Sequence, residues 1–273
     1  MKCPQCGARL SDENQFCVKC GAYVQYRGMS SDNSKQLLTA TAGGTTALGK
    51  KARQARLAAD YSDAEFMTTR AYNAVIIGVL LWGILINYVL CARVGDVYRF
   101  IDPALFLVFY FICAIAGILL SAKSTDSRLS FVGYNLVVIP LGLVISTLVE
   151  AYGGVGSEVV TGAFLYTGLI TLGILGMATA FPQLFSKLGG ALLGCLGGLI
   201  LCELLLLIFR VRQDVTDWIA AGIFCLYIGY DIYRSQQFAK TMDNAVDCAL
   251  DIYLDIANLF IRILSIMGKR KDD

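Results

Sequence analysis

The chain contains no histidine. That excludes imidazole bases and imidazole metal ligands from any chemistry it performs. Proline is scarce, at four in 273 residues, and only 16% of residues are charged. The net charge of +2 identifies no partner. The start, MKCPQCG, lacks the charged-then-apolar run of a secretory leader, so the first segment is expected to stay in the cytoplasm with its thiols reduced. What abounds is apolar surface. Hydrophobic residues make up 56% of the chain and the mean hydropathy is +0.62. These values describe a polytopic membrane protein with a small polar portion rather than a soluble domain.

Cysteine is unevenly spread. Cys3 and Cys6 form one Cys-x-x-Cys, Cys17 and Cys20 another, and Gly7 and Gly21 follow them. Four thiolates at this spacing form the tetrahedral set of a structural zinc site. Glycine lets each knuckle turn tightly. A redox dithiol would need a surrounding fold that 24 residues cannot build. With all four positions filled by sulfur, no ligand site stays open for catalysis. Residues 1–24 therefore read as a zinc ribbon with a structural or protein-contact role. No basic-aromatic cluster accompanies it, so nucleic acid is not the expected partner. The remaining cysteines (Cys91, Cys113, Cys195, Cys202, Cys225 and Cys248) stand in apolar stretches and read as small hydrophobes.

Residues 25–65 combine a Ser/Thr/Gly-rich linker with a basic segment holding Lys50, Lys51, Arg53 and Arg56. The bases suit either a helix lying on an anionic leaflet or a positive-inside flank, and both place them in the cytoplasm. Residues 66–273 form the membrane domain, with seven apolar stretches at about 71–92, 103–122, 130–150, 158–180, 187–209, 216–234 and 246–267. Lys123, Arg128, Lys187, Arg234 and Lys240 fall in alternate loops, as a cytoplasmic N-terminus requires. The tail Lys269-Arg270-Lys271 conflicts with that rule if the last helix crosses; a helix that enters and returns would remove the conflict. Gly190, Gly194 and Gly198 in the fifth stretch have the spacing of close helix packing.

The last stretch is the unusual one. Asp247, Asp251, Asp255, Asn258 and Arg262 recur at helical spacing and share one face. A charge facing lipid at mid-bilayer costs roughly 2.5–3.5 kcal/mol. The stripe must face protein or water, which makes this a central helix wrapped by the others. Acids in the first turns also offset the helix dipole, an ordinary role open to Asp247 and Asp251. Asp255 lies too deep for it. Arg262 either snorkels outward or pairs with an acid. Glu203, in the middle of the fifth stretch, is a functional candidate by its depth alone.

The run Ala249-Leu250-Asp251-Ile252-Tyr253-Leu254-Asp255-Ile256-Ala257-Asn258-Leu259-Phe260 resembles the last transmembrane helix of the Bax inhibitor family. Gly229-Tyr230-Asp231 stands where that family has a Tyr-Asp signature. The resemblance implies an all-α seven-helix membrane protein that leaks calcium in a pH-sensitive way. It also implies a gate made by an aspartate pair on the last two helices, here Asp231 and Asp255. Two carboxyls in a poorly solvated place cannot both ionise cheaply, so such a pair titrates as a unit. Two carboxylates offer too few oxygens for tight calcium binding, which suits a pathway rather than a store. Ile232 and Tyr233 stand where relatives often have Thr-Gln. The family's basic latch has three candidate counterparts, Ser121, Lys123 and Arg128. Asp231 has a plainer use, as an interfacial partner of Arg234.

The expected location is the cell (plasma) membrane, with the lipid bilayer and calcium as partners and zinc as the structural cofactor. The rival reading is a non-conducting anchor whose ribbon recruits a protein partner. An enzyme is not expected. There is no Gly-x-Gly-Asp beside either aspartate, no metal-ligand motif in the apolar stretches and no serine paired with a base.

Overall fold

The computed structural model describes residues 66–99, 101–123, 126–209 and 214–272. These residues form eight α-helices, one short 3-10 turn and no strand. The helices are α1 (Thr69–Arg93), α2 (Pro103–Lys123), α3 (Ser127–Ala151), α4 (Glu158–Ala180), α5 (Pro182–Ser186), α6 (Gly189–Phe209), α7 (Asp214–Ser235) and α8 (Met242–Asp272). The zinc-ribbon cysteines Cys3, Cys6, Cys17 and Cys20, and the linker after them, lie outside the described residues.

Short polar residues start the helices where the apolar runs begin. The Thr68 hydroxyl accepts from Ala71 N at 3.3 Å and opens α1. Asp102 Oδ1 accepts from Ala104 N at 2.9 Å, with Pro103 as the first residue of α2. Asp126 and Ser157 cap α3 and α4 in the same way. Each cap satisfies a backbone N–H that the first helical turn leaves without a partner. Past the ends of α1 and α3, Gly95, Gly153 and Gly154 take positive φ (63°, 94° and 81°), where a side chain would be strained.

Six of these helices (α1, α2, α3, α4, α6 and α7) are long and apolar enough to cross a membrane. Their outward faces expose large apolar side chains such as Leu81, Phe109, Leu165 and Leu204. The last helix is not among the six, because its charges keep it from qualifying on composition. It is instead the most enclosed element. It packs against α1, α3, α4 and α7, and Ala245, Ala249, Tyr253, Leu259 and Leu264 are all buried. A polar stripe that lipid would not tolerate is thus covered by protein.

Close helix approach occurs at glycines other than those the spacing singled out. A Cβ on Gly117 would lie 2.6 Å from the Gly133 carbonyl, and one on Gly133 would lie 2.7 Å from the Gly117 carbonyl. Here α2 and α3 touch backbone to backbone. Gly194 and Gly198 of α6 have open space around them. Their spacing permits close packing, but no helix among the described residues supplies it.

Candidate functional site along the last helix

Thr241 opens α8, its hydroxyl accepting from Asn244 N at 3.2 Å. From there carboxylates recur every fourth residue on one face: Asp243, Asp247, Asp251 and Asp255. Each meets a different neighbour. The Ser130 hydroxyl of α3 donates to Asp243 Oδ1 at 2.5 Å. The Ser121 hydroxyl of α2 donates to Asp247 Oδ1. Arg234 of α7 reaches Asp251 Oδ2 at 2.5 Å. Asp255 lies within hydrogen-bonding reach of Asp231 on α7. One oxygen of Asp255, Oδ2, is buried with no partner among the described residues.

The two predicted gate residues therefore share one buried place, and the plainer use of Asp231 is also realised. Arg234 Nη1 lies 3.6 Å from Asp231 Oδ1, one helical turn away. The guanidinium thus bridges Asp231 and Asp251, flanked by the Tyr230 and Phe238 rings with centroids at 5.9 and 5.6 Å. Three carboxyls face one guanidinium. Carboxyls crowded in one poorly solvated place cannot all ionise cheaply, and the single guanidinium offsets only part of that cost. Among the three candidate latches, Ser121 is committed to Asp247 and the Arg128 side chain is exposed. The cation beside the pair is Arg234. Asp247 is 1% exposed and hydrogen-bonded, and it stands in the second turn of the helix, where an acid also offsets the dipole.

A second cluster ties the far end of α8. Arg262 meets Glu203 of α6 through both nitrogens, at 2.6 Å (Nη1 to Oε1) and 3.0 Å (Nη2 to Oε2). The same Nη1 lies 3.0 Å from Asp217 Oδ1 of α7. Asp217 Oδ2 accepts from Ser265 Oγ at 2.8 Å and from Lys269 Nζ at 2.9 Å. Of the two fates open to Arg262, pairing with acids is the one found. Glu203 serves as its partner. Asp217 and Lys269, which sit at a loop edge and a tail in the sequence, turn out to be joined.

Lys240 precedes α8, in the turn after α7. Its ammonium donates to the carbonyls of Gln236 (2.7 Å) and Ser235 (3.4 Å) at the C-terminal end of α7, and lies 4.6 Å from the Tyr72 ring centroid. Burial pushes it down to about 8. Positive charge there complements the helix dipole.

Comparison with known proteins matches most of this sequence to one family. The family described as "Inhibitor of apoptosis-promoting Bax1" matches residues 64–272, which include every described helix and both clusters. The chain belongs to the Bax inhibitor family. A zinc-ribbon domain matches residues 2–24, the segment with the four paired cysteines. Bax inhibitor 1 of Schizosaccharomyces pombe is 38% identical over 107 residues, which is 36% of this chain and 40% of that protein. Protein LIFEGUARD 1 of Arabidopsis thaliana is 36% identical over 87 residues, 31% of this chain and 37% of that protein. Protein lifeguard 4 of Mus musculus is 30% identical over 107 residues, 38% of this chain and 44% of that protein. The matched segments thus span less than half the length of each of these three relatives. Membership in the Bax inhibitor family, together with the six apolar helices, makes this an integral membrane protein.

Proposed function

We propose that this protein is a pH-sensitive calcium leak whose gate is the Asp231–Asp255 pair. The observation that carries the reading is the shared buried place of the two carboxyls, with Asp255 Oδ2 unpartnered among the described residues. A buried acceptor without a donor is costly to a merely structural residue and useful to a passing cation. A pair that exchanges one proton changes the charge of this place, and so its attraction for a divalent ion, without histidine. Few oxygens mean weak binding, as permeation requires. On this reading α8 is the seventh span, its polar face turned inward. The N-terminus is cytoplasmic, the location is the cell membrane, and no catalytic step is involved. Cys3, Cys6, Cys17 and Cys20 hold a structural zinc, a donor set of four thiolates that leaves no open position.

Calcium flux into proteoliposomes at several pH values tests the gate. Asp231→Asn and Asp255→Asn should each remove most of the pH dependence, and the double change should add little, because the pair acts as one unit. If both single variants keep the wild-type profile, the gate lies elsewhere and Glu203 is the next residue to change. The zinc-ribbon match favours a second reading, a non-conducting anchor that recruits a protein partner. It predicts no flux at any pH.

A further inference from the structure

The end of α7 is fastened by groups from another helix. Tyr72, in the first turn of α1, is fully buried. Its hydroxyl faces three acceptors: the Ser235 carbonyl at 3.2 Å, the Asn244 carbonyl at 3.4 Å and the Cys248 sulfur at 3.3 Å. Ser235 ends α7, and the other two stand in the first two turns of α8, so one hydroxyl spans the α7–α8 turn. Beside it Gln236 Nε2 donates to Asn73 Oδ1 at 3.0 Å, and Met67 N donates to the Lys240 carbonyl at 2.9 Å. The start of α1 thus grips the turn through side chain and backbone alike.

This grip exceeds what the turn itself requires. The last carbonyls of a helix need donors, and the Lys240 ammonium already serves Ser235 and Gln236 from within the hairpin. Tyr72 adds a donor from outside it, so it locates α7 against α1 and α8 together. Arg234 is the residue next to Ser235. Its guanidinium sits 2.5 Å from Asp251 Oδ2 of α8 and 3.6 Å from Asp231 Oδ1 of α7 at once. Both contacts hold only while the last turn of α7 keeps its place on α8. Around them stand Tyr230 of α7 and Cys248 of α8, with Tyr227 of α7 beside Asp231 and Asp255 and Cys195 of α6 next to Tyr227. None of these side chains could replace the positive charge of the guanidinium.

We propose that Tyr72 and Asn73 are positioning residues for Arg234, and that the start of α1 thereby sets the pH at which the leak responds. The second clause rests on the reading of Asp231 and Asp255 as a gate. A cation favours the ionised form of a carboxyl beside it. With the grip loosened, Arg234 moves off the acids and the pair keeps its proton to a higher pH.

The test is an infrared pH titration of the full-length protein in phosphatidylcholine vesicles, with calcium flux measured on the same preparations. The carboxyl band of the pair is the one that Asp255→Asn removes. Tyr72→Phe keeps the ring and loses only the hydroxyl. It should raise the midpoint of that band by about 0.5–1 pH unit, part of the ~1–3 that an adjacent cation is worth to a carboxyl. Asn73→Ala should act in the same direction, and the flux midpoint should follow. With Arg234→Met already present, Tyr72→Phe should move the midpoint no further. Ile145→Val, which trims a buried side chain of α3, should lower the unfolding temperature and leave the midpoint alone. An unmoved midpoint in both Tyr72→Phe and Asn73→Ala would overturn the proposal. So would an equal rise in Ile145→Val, or a Tyr72→Phe effect that persists without Arg234. Should Tyr72→Phe fail to fold, Asn73→Ala decides, since Asn73 is only half-buried. Wild-type protein without pH-dependent flux would refute the leak, while the infrared midpoints would still decide whether α1 positions Arg234.

Discussion

Gly229 stands two residues before Asp231, and its lack of a side chain can be tested quantitatively. Phe185 of the short helix α5 lies against it, 3% exposed. A Cβ at Gly229 would place three Phe185 ring carbons too close, Cζ among them at 2.6 Å. Gly222 lies seven residues earlier on the same helix, and a Cβ there meets nothing within 4 Å. Alanine at either position gains about 1 kcal/mol in helix propensity. Only at Gly229 must a buried ring also move, an overpacking cost of typically ~1–3 kcal/mol. Gly229→Ala should therefore fall below Gly222→Ala by roughly 1–3 kcal/mol. At about 2–4 °C per kcal/mol for a chain of this size, the gap is several degrees in Tm. Thermal unfolding in detergent, followed by tryptophan fluorescence, measures it. Phe185→Leu should rescue Gly229→Ala in part, since the two positions touch and their effects cannot be independent. Equal Tm values for the two alanine variants would show that α5 does not press on α7 at this turn. The packing around the aspartate pair would then need another account.

Three further outcomes are expected. Arg262→Met leaves Glu203 and Asp217 facing each other with Lys269 as their remaining cation, so it should destabilise by a few kcal/mol, up to the ~3–5 of a broken buried pair. Adding Glu203→Gln should cost much less than its effect in wild type, and full additivity in a double-mutant cycle would exclude the pairing. Lys240 ordinarily ionises at 10.5 but is held at about 8 by burial. Between those values the unfolded chain keeps a proton that the folded one has lost, so stability should rise with pH through that window and not below it. Lys240→Met should lack that rise, and a rise as steep as wild type's would exclude the assignment. Purified, reduced protein should carry about one zinc per chain, as four thiolates complete one tetrahedral site. Metal analysis of a Cys3→Ser, Cys6→Ser variant should find it lost, and its retention would move the site elsewhere.

The enclosure of α8 was legible because charge in lipid is so costly that the stripe from Asp247 to Arg262 left one arrangement open. The neighbours that satisfy the stripe were not. Ser121, Ser130 and Arg234 come from three helices, and a spacing rule for one helix carries no information on which face another presents. Asp247 shows the limit plainly. An acid in the second turn is equally compatible with solvent and with burial, and the contact with α2 decides. The glycines make the same point. Spacing made α6 a candidate for close packing, but the tight approach is at Gly117 and Gly133, which no repeat announces. Hydropathy also placed Asp217 and Lys269 near a boundary, because an averaged window cannot register that α8 runs on to Asp272 and carries Lys269 to a buried acid.

The order of charge along α8 explains why so polar a sequence remains one helix of 31 residues. Asp243, Asp247, Asp251 and Asp255 occupy its first half, and Arg262, Lys269, Arg270 and Lys271 its second, with Asp272 as the one acid there. Acids toward the N-terminus and bases toward the C-terminus are the arrangement the helix dipole favours, most strongly in the end turns. The neighbours follow the same order in reverse: Arg234 meets the acidic half, and Glu203 and Asp217 meet the basic half. Swapping the sign at either end would therefore oppose both the dipole and the partners. Between the halves stands Asn258, its amide turned to the carbonyl of Leu254 at 2.8 Å, a neutral step between two charged clusters. A cation moving along this face would leave carboxylates at Asp255 and meet a guanidinium at Arg262. The ion pairs of Arg262 with Glu203 and Asp217 must then loosen, or be passed by, before the path is complete. If the protein is the calcium leak proposed above, the far cluster is then as much a part of permeation as the aspartate pair. Glu203→Gln should thus raise basal calcium flux while leaving its pH profile to Asp231 and Asp255, and an unchanged basal flux would place the path off this face of the helix.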